Sequence, residues 1–527
     1  MLALISLLLF LSVAMIVLII HIIRPDFAYL WLVTAIGALV AFMLMLLAGF
    51  NLPQAISLVT WEPQGLFPVS PSLQIDQISW PFATALAGLC LAVILTAAVR
   101  IFQVEGHAWP GSLLLTGLGL AAVLSGNPLT LLLAWAALDL AELVILFSQV
   151  KNPKITENIF TAFTIRVGAI LLYLWSVIQS YQAGVYTFDD IPSRAATFAF
   201  LAAGLRLGVL PFHLPSSEEL PLRRGIGTTL RLAPAASCFV LLARTASIEI
   251  SATPGFFLLL LAALAGIYGS LIWATASDEL NGRPFWIIGG AALSLAAAVQ
   301  GHPSAVIAWG LACILPGSLL SLASARHRYL LPFLMVGLVC ISTLPYAPAW
   351  DGAQVYTPMR LTTLAPFFFL VHLLLLVGYL RHSFRSGSAP AGLERWVWAL
   401  YALGLVLLVM ADLLSAYWGD ALIDSWRVTA PSSIWAWVSG IFAIGLTVLI
   451  LLWSQRASFP SGLLRNALGR TLPVAWLNRL LWSLYGSLRL LVEWITNIME
   501  GEGGVLWAAV LLALLFILLI QVGVPGG

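Results

Sequence analysis

Apolar stretches of roughly 17 to 23 residues recur from one end of the chain to the other, each long enough to cross a hydrocarbon layer about 30 Å thick. They run approximately over 2–23, 28–50, 80–102, 110–126, 129–150, 159–181, 195–211, 226–243, 255–275, 285–300, 304–323, 329–345, 362–381, 396–415, 433–453 and 503–521. Lipid offers no partner to backbone polar groups, so such stretches must be helices. The spacing predicts an all-α, polytopic membrane protein of about 14–16 transmembrane helices joined by short polar loops. Composition agrees, because 61% of the 527 residues are hydrophobic and only 9% are charged, far more apolar surface than a soluble core could bury. The first stretch has no basic residue before it and is too long for a leader core, so it reads as a retained membrane helix.

The basic residues divide unevenly between alternate loops. With the first helix starting outside, inside loops collect Arg24, Arg100, Lys151, Lys154, Arg223, Arg224, Arg283, Arg326, Arg328, Arg381, Arg385, Arg395, Arg456, Arg465, Arg470, Arg479 and Arg489. Only Arg194, Arg244, Arg360 and Arg427 remain outside. This skew predicts both termini outside, in a prokaryotic inner membrane. The loops at 51–79, 182–194, 346–361 and 416–432 are rich in Trp, Pro, Tyr and Asp and read as short ordered caps at the outer interface. Region 456–500 alternates leucines at helical spacing with arginines, as a helix lying along the membrane or a partner would. Segment 503–521 follows as a terminal anchor.

Several functions are excluded by what the chain lacks. The formal net charge is +2, with basic residues scattered between apolar runs, so no nucleic-acid partner is expected. Cys90, Cys238, Cys313 and Cys340 lie inside apolar runs without the paired spacing of a zinc or redox site. No nucleotide loop, metal cluster or nucleophile constellation is legible, so no cofactor is expected and the chain is not catalytic alone.

The informative residues are ionisable groups inside the apolar runs. Charge at bilayer depth costs about 2.5–3.5 kcal/mol on insertion scales, so such residues face the bundle interior and one another. Asp139 and Glu142 stand three apart, hence on one helix face. Arg166, Arg206, His213 and Arg231 follow, and His372 stands alone in a phenylalanine-rich run. These seven are the candidate proton or ion pathway. Each also has a structural reading: the acids would neutralise Arg166 or Arg206 and lock helices together, and His372 would be a satisfied core histidine. Arginine keeps its charge where a lysine would titrate, which weighs toward the structural reading. Pro211 and Pro215 forbid a continuous helix beyond Arg206 and should leave carbonyls around Gly208 without partners. Broken helices beside ionisable groups are a frequent sign of an ion site in transporters.

Several stretches, in order, resemble the antiporter-like membrane subunits of respiratory complex I, nearest the large L-type subunit, and their relatives in multisubunit cation/proton antiporters and membrane-bound hydrogenases. Ser72-Leu73-Gln74-Ile75-Asp76-Gln77-Ile78-Ser79 looks like the family's helix start after its outside loop. Asn127-Pro128-Leu129-Thr130 up to Trp135 is similar to the run before a Trp-Glu pair, and Arg166-Val167-Gly168 to an Arg-hydrophobic-Gly-Asp run. Pro211-Phe212-His213 with Pro215 resembles a helix break, and Glu500-Gly501-Glu502-Gly503-Gly504 a terminal anchor. The resemblance implies two inverted five-helix repeats, each with a broken helix, over 110–244 and 254–381. Helices at 1–109 would precede them, with 396–453, the lateral segment and the anchor after them.

It further implies other membrane subunits, lipid, and protons or Na+ as partners, in a translocase subunit of an NADH:quinone oxidoreductase-like complex. The departures are specific. Ala136 stands where the family has glutamate, with Asp139 one turn on; Arg206 replaces a lysine; Ala169 replaces an aspartate; Leu230 and Ala236 fall at His and Lys positions, leaving Arg231. Around 305–319 the central lysine is missing, and near 345–353 only Asp351 remains. The relay therefore reads as partly degraded. Two alternatives stay open: a structural or assembly subunit that does not conduct, and a membrane partner of an inorganic-carbon uptake system.

Overall fold

A computed structural model describes residues 1–456 apart from 26, 28, 59, 62–68, 100–107, 150–152, 189, 212–223, 325–328, 345, 357–363, 386–393 and 418–431. Beyond 456 only six isolated positions are described. The chain divides into two units, Met1–Arg465 and Asn466–Gly527, and the first carries everything below. The lateral segment at 456–500 and the anchor at 503–521 lie outside the described residues.

The expected runs become helices: α1 Leu2–Ile23, α2 Leu30–Ala48, α3 Ser79–Thr96, α4 Ala108–Val123, α5 Pro128–Gln149, α6 Pro153–Gln182, α7 Ser193–Arg206 and α8 Arg224–Thr245. They continue as α9 Ala252–Thr275, α10 Glu279–Val299, α11 Pro303–Leu322, α12 Leu331–Ile341, α13 Ala365–Ser383, α14 Arg395–Tyr417 and α15 Ser432–Arg456. Eleven helices among the described residues are long and apolar enough to cross a membrane. The protein is all-α and polytopic. α7 and α12, at 14 and 11 residues, are too short to cross alone, since a helix rises 1.5 Å per residue.

The two short helices end differently. α7 stops at Arg206, five residues before Pro211, because Gly208 takes a φ of +80° that a side chain would resist. The chain then folds back on itself. The Gly204 carbonyl accepts from Val209 and Leu210 amides at 2.8 and 3.1 Å, and the Leu205 carbonyl accepts from Gly208 at 3.2 Å. A Cβ on Gly204 would lie 2.6 Å from Leu210 Cδ1, so a larger residue there would have to displace the Leu210 side chain. The carbonyls of Gly204 and Leu205 are satisfied by this glycine-based turn. α12 ends at Ile341, where Ser342 turns extended and the Ala349 amide returns to the Cys340 carbonyl at 3.0 Å. A 3-10 helix, Trp350–Tyr356, follows and buries Asp351.

One hairpin sits at the start of α3 and α5. β1 Gln54–Ser57 pairs antiparallel with β2 Ser72–Ile75. Asp76 then caps α3: its Oδ1 accepts from the amides of Ile78 and Ser79 at 3.1 and 2.8 Å and from the Ser79 hydroxyl at 2.9 Å. Asn127 caps α5 in the same manner, its Oδ1 accepting from the Thr130 amide at 2.9 Å and hydroxyl at 2.8 Å, with Pro128 at the first helical position. Its Nδ2 donates to the Ser70 carbonyl and the Ser72 hydroxyl at 2.8 and 2.9 Å. Arg244 of α8 pairs with Asp76 Oδ2 at 3.1 Å. The hairpin thus fixes the height of α5 relative to α3 and α8.

Every residue of α3 is buried, and α8, α10 and α11 are buried over nearly their whole length. α5 and α6 are peripheral: Leu140, Val144, Leu171 and Trp175 face outward. α10 begins at Glu279 rather than near 285, with Asp278 capping it by accepting from the Asn281 amide at 2.8 Å. Arg283, Arg224 and Arg244, expected in loops, therefore lie within helices. Arg283 is buried and donates to the Thr228 hydroxyl at 2.7 Å and the Arg224 carbonyl at 3.4 Å, which is how a guanidinium is tolerated there.

Candidate functional site

Asp139 and Glu142 point to the same side of α5 because three residues nearly complete a helical turn. That side meets α6 and α7, each of which brings one arginine. Arg206, in the last turn of α7, grips Asp139 with both terminal nitrogens, Nη1 to Oδ2 at 2.6 Å and Nη2 to Oδ1 at 2.7 Å. Arg166 of α6 donates to Glu142 Oε2 and lies 3.5 Å from Asp139 Oδ1. Asp139, Glu142, Arg166 and Arg206 are 2%, 3%, 7% and 6% exposed. Two negative and two positive charges thus sit together with water largely excluded, a setting in which either partner alone would be costly.

Aromatic and hydroxyl groups hold the guanidinium of Arg206 in place. Its carbon lies 4.4 Å from the Trp135 ring centroid, one turn before Asp139 on α5. The Trp135 indole donates to Ser237 of α8 at 2.8 Å, and Ser237 in turn donates to the Pro234 carbonyl at 2.9 Å inside the same helix. Tyr173 of α6 packs on Trp135 at 5.0 Å between ring centroids. Arg231 of α8 lines a small cavity with Arg166, Arg206, Leu207, Pro234, Ala235 and Ile287. That cavity touches the residue where α7 breaks, so the charged cluster and the helix interruption are one site.

The seven candidates do not all converge. Asp139, Glu142, Arg166, Arg206 and Arg231 assemble. His213 lies outside the described residues. His372 is elsewhere, on α13, where its Nε2 shares a hydrogen bond with the Ile341 carbonyl at 3.0 Å and its ring abuts Trp309 and Tyr356. Three groups were missed by sequence reasoning. Glu279 of α10 is buried and accepts from Arg224 Nη1 at 2.6 Å. Arg283 is buried beside it. Asp412 of α14 is 2% exposed. Each lies near the end of an apolar run, and the signal that could have found them is a charged residue that leaves a run's hydropathy almost unchanged.

Among the described residues no group of three or more His, Cys, Asp or Glu side chains forms a metal-binding cluster. The site is built from paired charges, and its chemistry is the holding or exchange of charge. Loss of charge on Glu142 leaves both guanidiniums facing Asp139, at 2.6 and 3.5 Å, so the cluster has a second arrangement in which no carboxylate is left bare.

No protein-family model matches the chain, and no curated protein matches it in sequence. Solved structures do match in shape. A chain from the Mrp complex of Dietzia sp. DQ12-45-1b superposes with a TM-score of 0.70 at 16% identity, over 99% of this chain and 63% of that one. A chain of the membrane-bound sulfane sulfur reductase, an archaeal respiratory membrane complex, gives 0.65 at 14% identity over 98% and 99%. A chain of respiratory complex I from Thermus thermophilus gives 0.58 at 17% identity over 78% and 97%. The chain shares the fold of subunits from these membrane complexes. It spans under two thirds of the Mrp chain, and identities this low establish fold alone.

Proposed function

We propose that this chain is an antiporter-like membrane subunit of a complex-I-like, energy-converting assembly, and that it contributes to proton or cation translocation through Asp139 and Glu142. The observation that carries this reading is the placement of two carboxylates from α5 against two guanidiniums from α6 and α7, buried at the point where α7 breaks. The fold shared with the Mrp, sulfane sulfur reductase and complex I chains supports it. In this reading the carboxylates are the groups that gain and lose a proton. Arg166, Arg206 and Arg231 cannot titrate and act by holding a fixed positive field beside them. Other membrane subunits of the assembly are the partners, in a prokaryotic inner membrane with both termini outside.

The relay reads as shortened. Between Ala305 and Leu319, α11 carries no Asp, Glu, Lys, Arg or His, so a proton released from Asp139 meets no lysine there. A second reading, a scaffold subunit that does not conduct, is favoured by one feature: the two-pronged grip of Arg206 on Asp139, with Trp135 over it, is the geometry of a structural lock. Proton flux into vesicles holding the purified wild type and the Asp139→Asn variant separates the two. Translocation predicts flux above empty vesicles in the wild type and its loss in the variant; equal flux in both removes Asp139 from any pathway.

A further inference from the structure

The end of α12 is flanked by polar groups that no ion pair explains. Asp412 of α14 is buried, and neither carboxylate oxygen meets a conventional hydrogen-bond partner among the described residues. The group that faces it is the Cys340 thiol, one residue before α12 ends, and a thiol is a weak donor. On the other side of the same helix end, His372 Nε2 is engaged with the Ile341 carbonyl, while its Nδ1 has no hydrogen-bond partner among the described residues. The hydroxyls of Ser415, one turn beyond Asp412 on α14, and of Thr343, just past the break, are buried in the same condition. Buried polar atoms are rarely left bare, and several together at a helix interruption mark a place that water or a moving proton completes.

The charge environment decides what Asp412 is. α14 packs against α3, α11 and α12. None of these three helices contains Asp, Glu, Lys, Arg or His; their only ionisable side chains are the thiols of Cys90, Cys313 and Cys340. An ionised carboxylate there would be a buried charge without a counter-charge among the described residues, which is far more costly than a carboxylic acid. Asp139 presents the opposite case, with a guanidinium on each side.

We infer that Asp412 is a second proton-binding site, which takes up and releases a proton at the interruption between α12 and the 3-10 helix at Trp350–Tyr356. The inference rests on the translocation reading above and supplies a titrating group in the half of the chain where α11 has none. The step is a simple exchange: a carboxylate oxygen binds a proton arriving through water, and the neutral acid returns it to water on the far side of the break.

The test uses the full-length protein in lipid vesicles, with a pH-sensitive dye inside and infrared spectroscopy of the same samples. The expected result is a carboxylic-acid carbonyl band at neutral pH that is lost in Asp412→Asn and disappears as pH rises. Proton flux should fall to the leak of empty vesicles in Asp412→Asn and return in Asp412→Glu. Absence of the band in the wild type overturns the inference, and this reading needs no variant to fold. Wild-type flux retained by Asp412→Asn overturns it while leaving the role of Asp139 intact. Flux lost in Asp412→Asn but kept in Asp139→Asn supports Asp412 and removes Asp139. A wild type with no flux above empty vesicles overturns both proposals.

Discussion

In the first half of the chain, Asp139 has a guanidinium at 2.6 Å and another at 3.5 Å; in the second half, among the described residues, α3, α11 and α12 bring no cation to Asp412. Both carboxyl groups are 2% exposed, so burial is not what separates them. The difference is in the neighbouring helices. α6 and α7 each bring an arginine to α5, whereas α3, α11 and α12 bring α14 only thiols, small residues and apolar surface. Similar breaks in a helix ladder are therefore finished in two ways, one by fixed opposite charges and one by neutral polar atoms. A carboxylate gripped by guanidiniums is held in one geometry, whereas a carboxyl in an apolar wall has only weak partners.

The largest effect should come from breaking the clamp. Arg206→Met is expected to cost about 3–5 kcal/mol of stability, because it removes the two-pronged partner of buried Asp139 and leaves only Arg166 at 3.5 Å, already engaged by Glu142. Thermal unfolding in detergent measures this, and the Arg206→Met, Asp139→Leu double variant should recover most of the loss. If the single variant is as stable as the wild type, the first half is not held by charge and the contrast fails. Gly208→Ala should cost about 1–2 kcal/mol, since φ of +80° is unfavourable for a residue with a side chain. Its effect sharpens the contrast by showing that the α7 break is held by local backbone geometry as well as by the cluster.

Asp76→Ala removes the cap of α3 and a partner of Arg244 and should cost about 1–2 kcal/mol. Asp76→Asn, which keeps an accepting oxygen, should cost less, and the same unfolding assay reads both. The smallest effect is expected at Asp412→Asn, under about 1 kcal/mol, because an amide matches a neutral carboxylic acid in shape and no ion pair is lost. A loss as large as that of Arg206→Met would mean that Asp412 is charged and paired, and the two halves would then be alike.

How much of this was legible beforehand differs by level. The helices follow the apolar runs closely: α1 at Leu2–Ile23 and α9 at Ala252–Thr275 fall within a few residues of their expected bounds, because hydropathy and length dictate them. The shared face of Asp139 and Glu142 was legible from their spacing alone. Which arginine each would meet was not, since Arg166 and Arg206 are equally reachable in sequence and only packing of α6 and α7 assigns one to Glu142 and the other to Asp139. The break after Arg206 was expected from its prolines but is executed by Gly204 and Gly208, because a positive φ shows only in the folded backbone. Arg283 is expected in a loop because charge near the end of a run normally marks an interface; α10 begins earlier, at Glu279, and buries both residues.

By itself, the sequence determined that this chain crosses a membrane many times, that its polar interior is sparse, and that one helix presents two carboxylates on a single face. Those properties follow from local rules: residue hydropathy, helical period and the cost of charge in lipid. Only the tertiary structure decided which charges neutralise one another and which carboxyl group is left without a cation. Electrostatic partnership depends on distances of a few ångströms between helices far apart in sequence, such as the 67 residues between Asp139 and Arg206, and no local pattern encodes those distances.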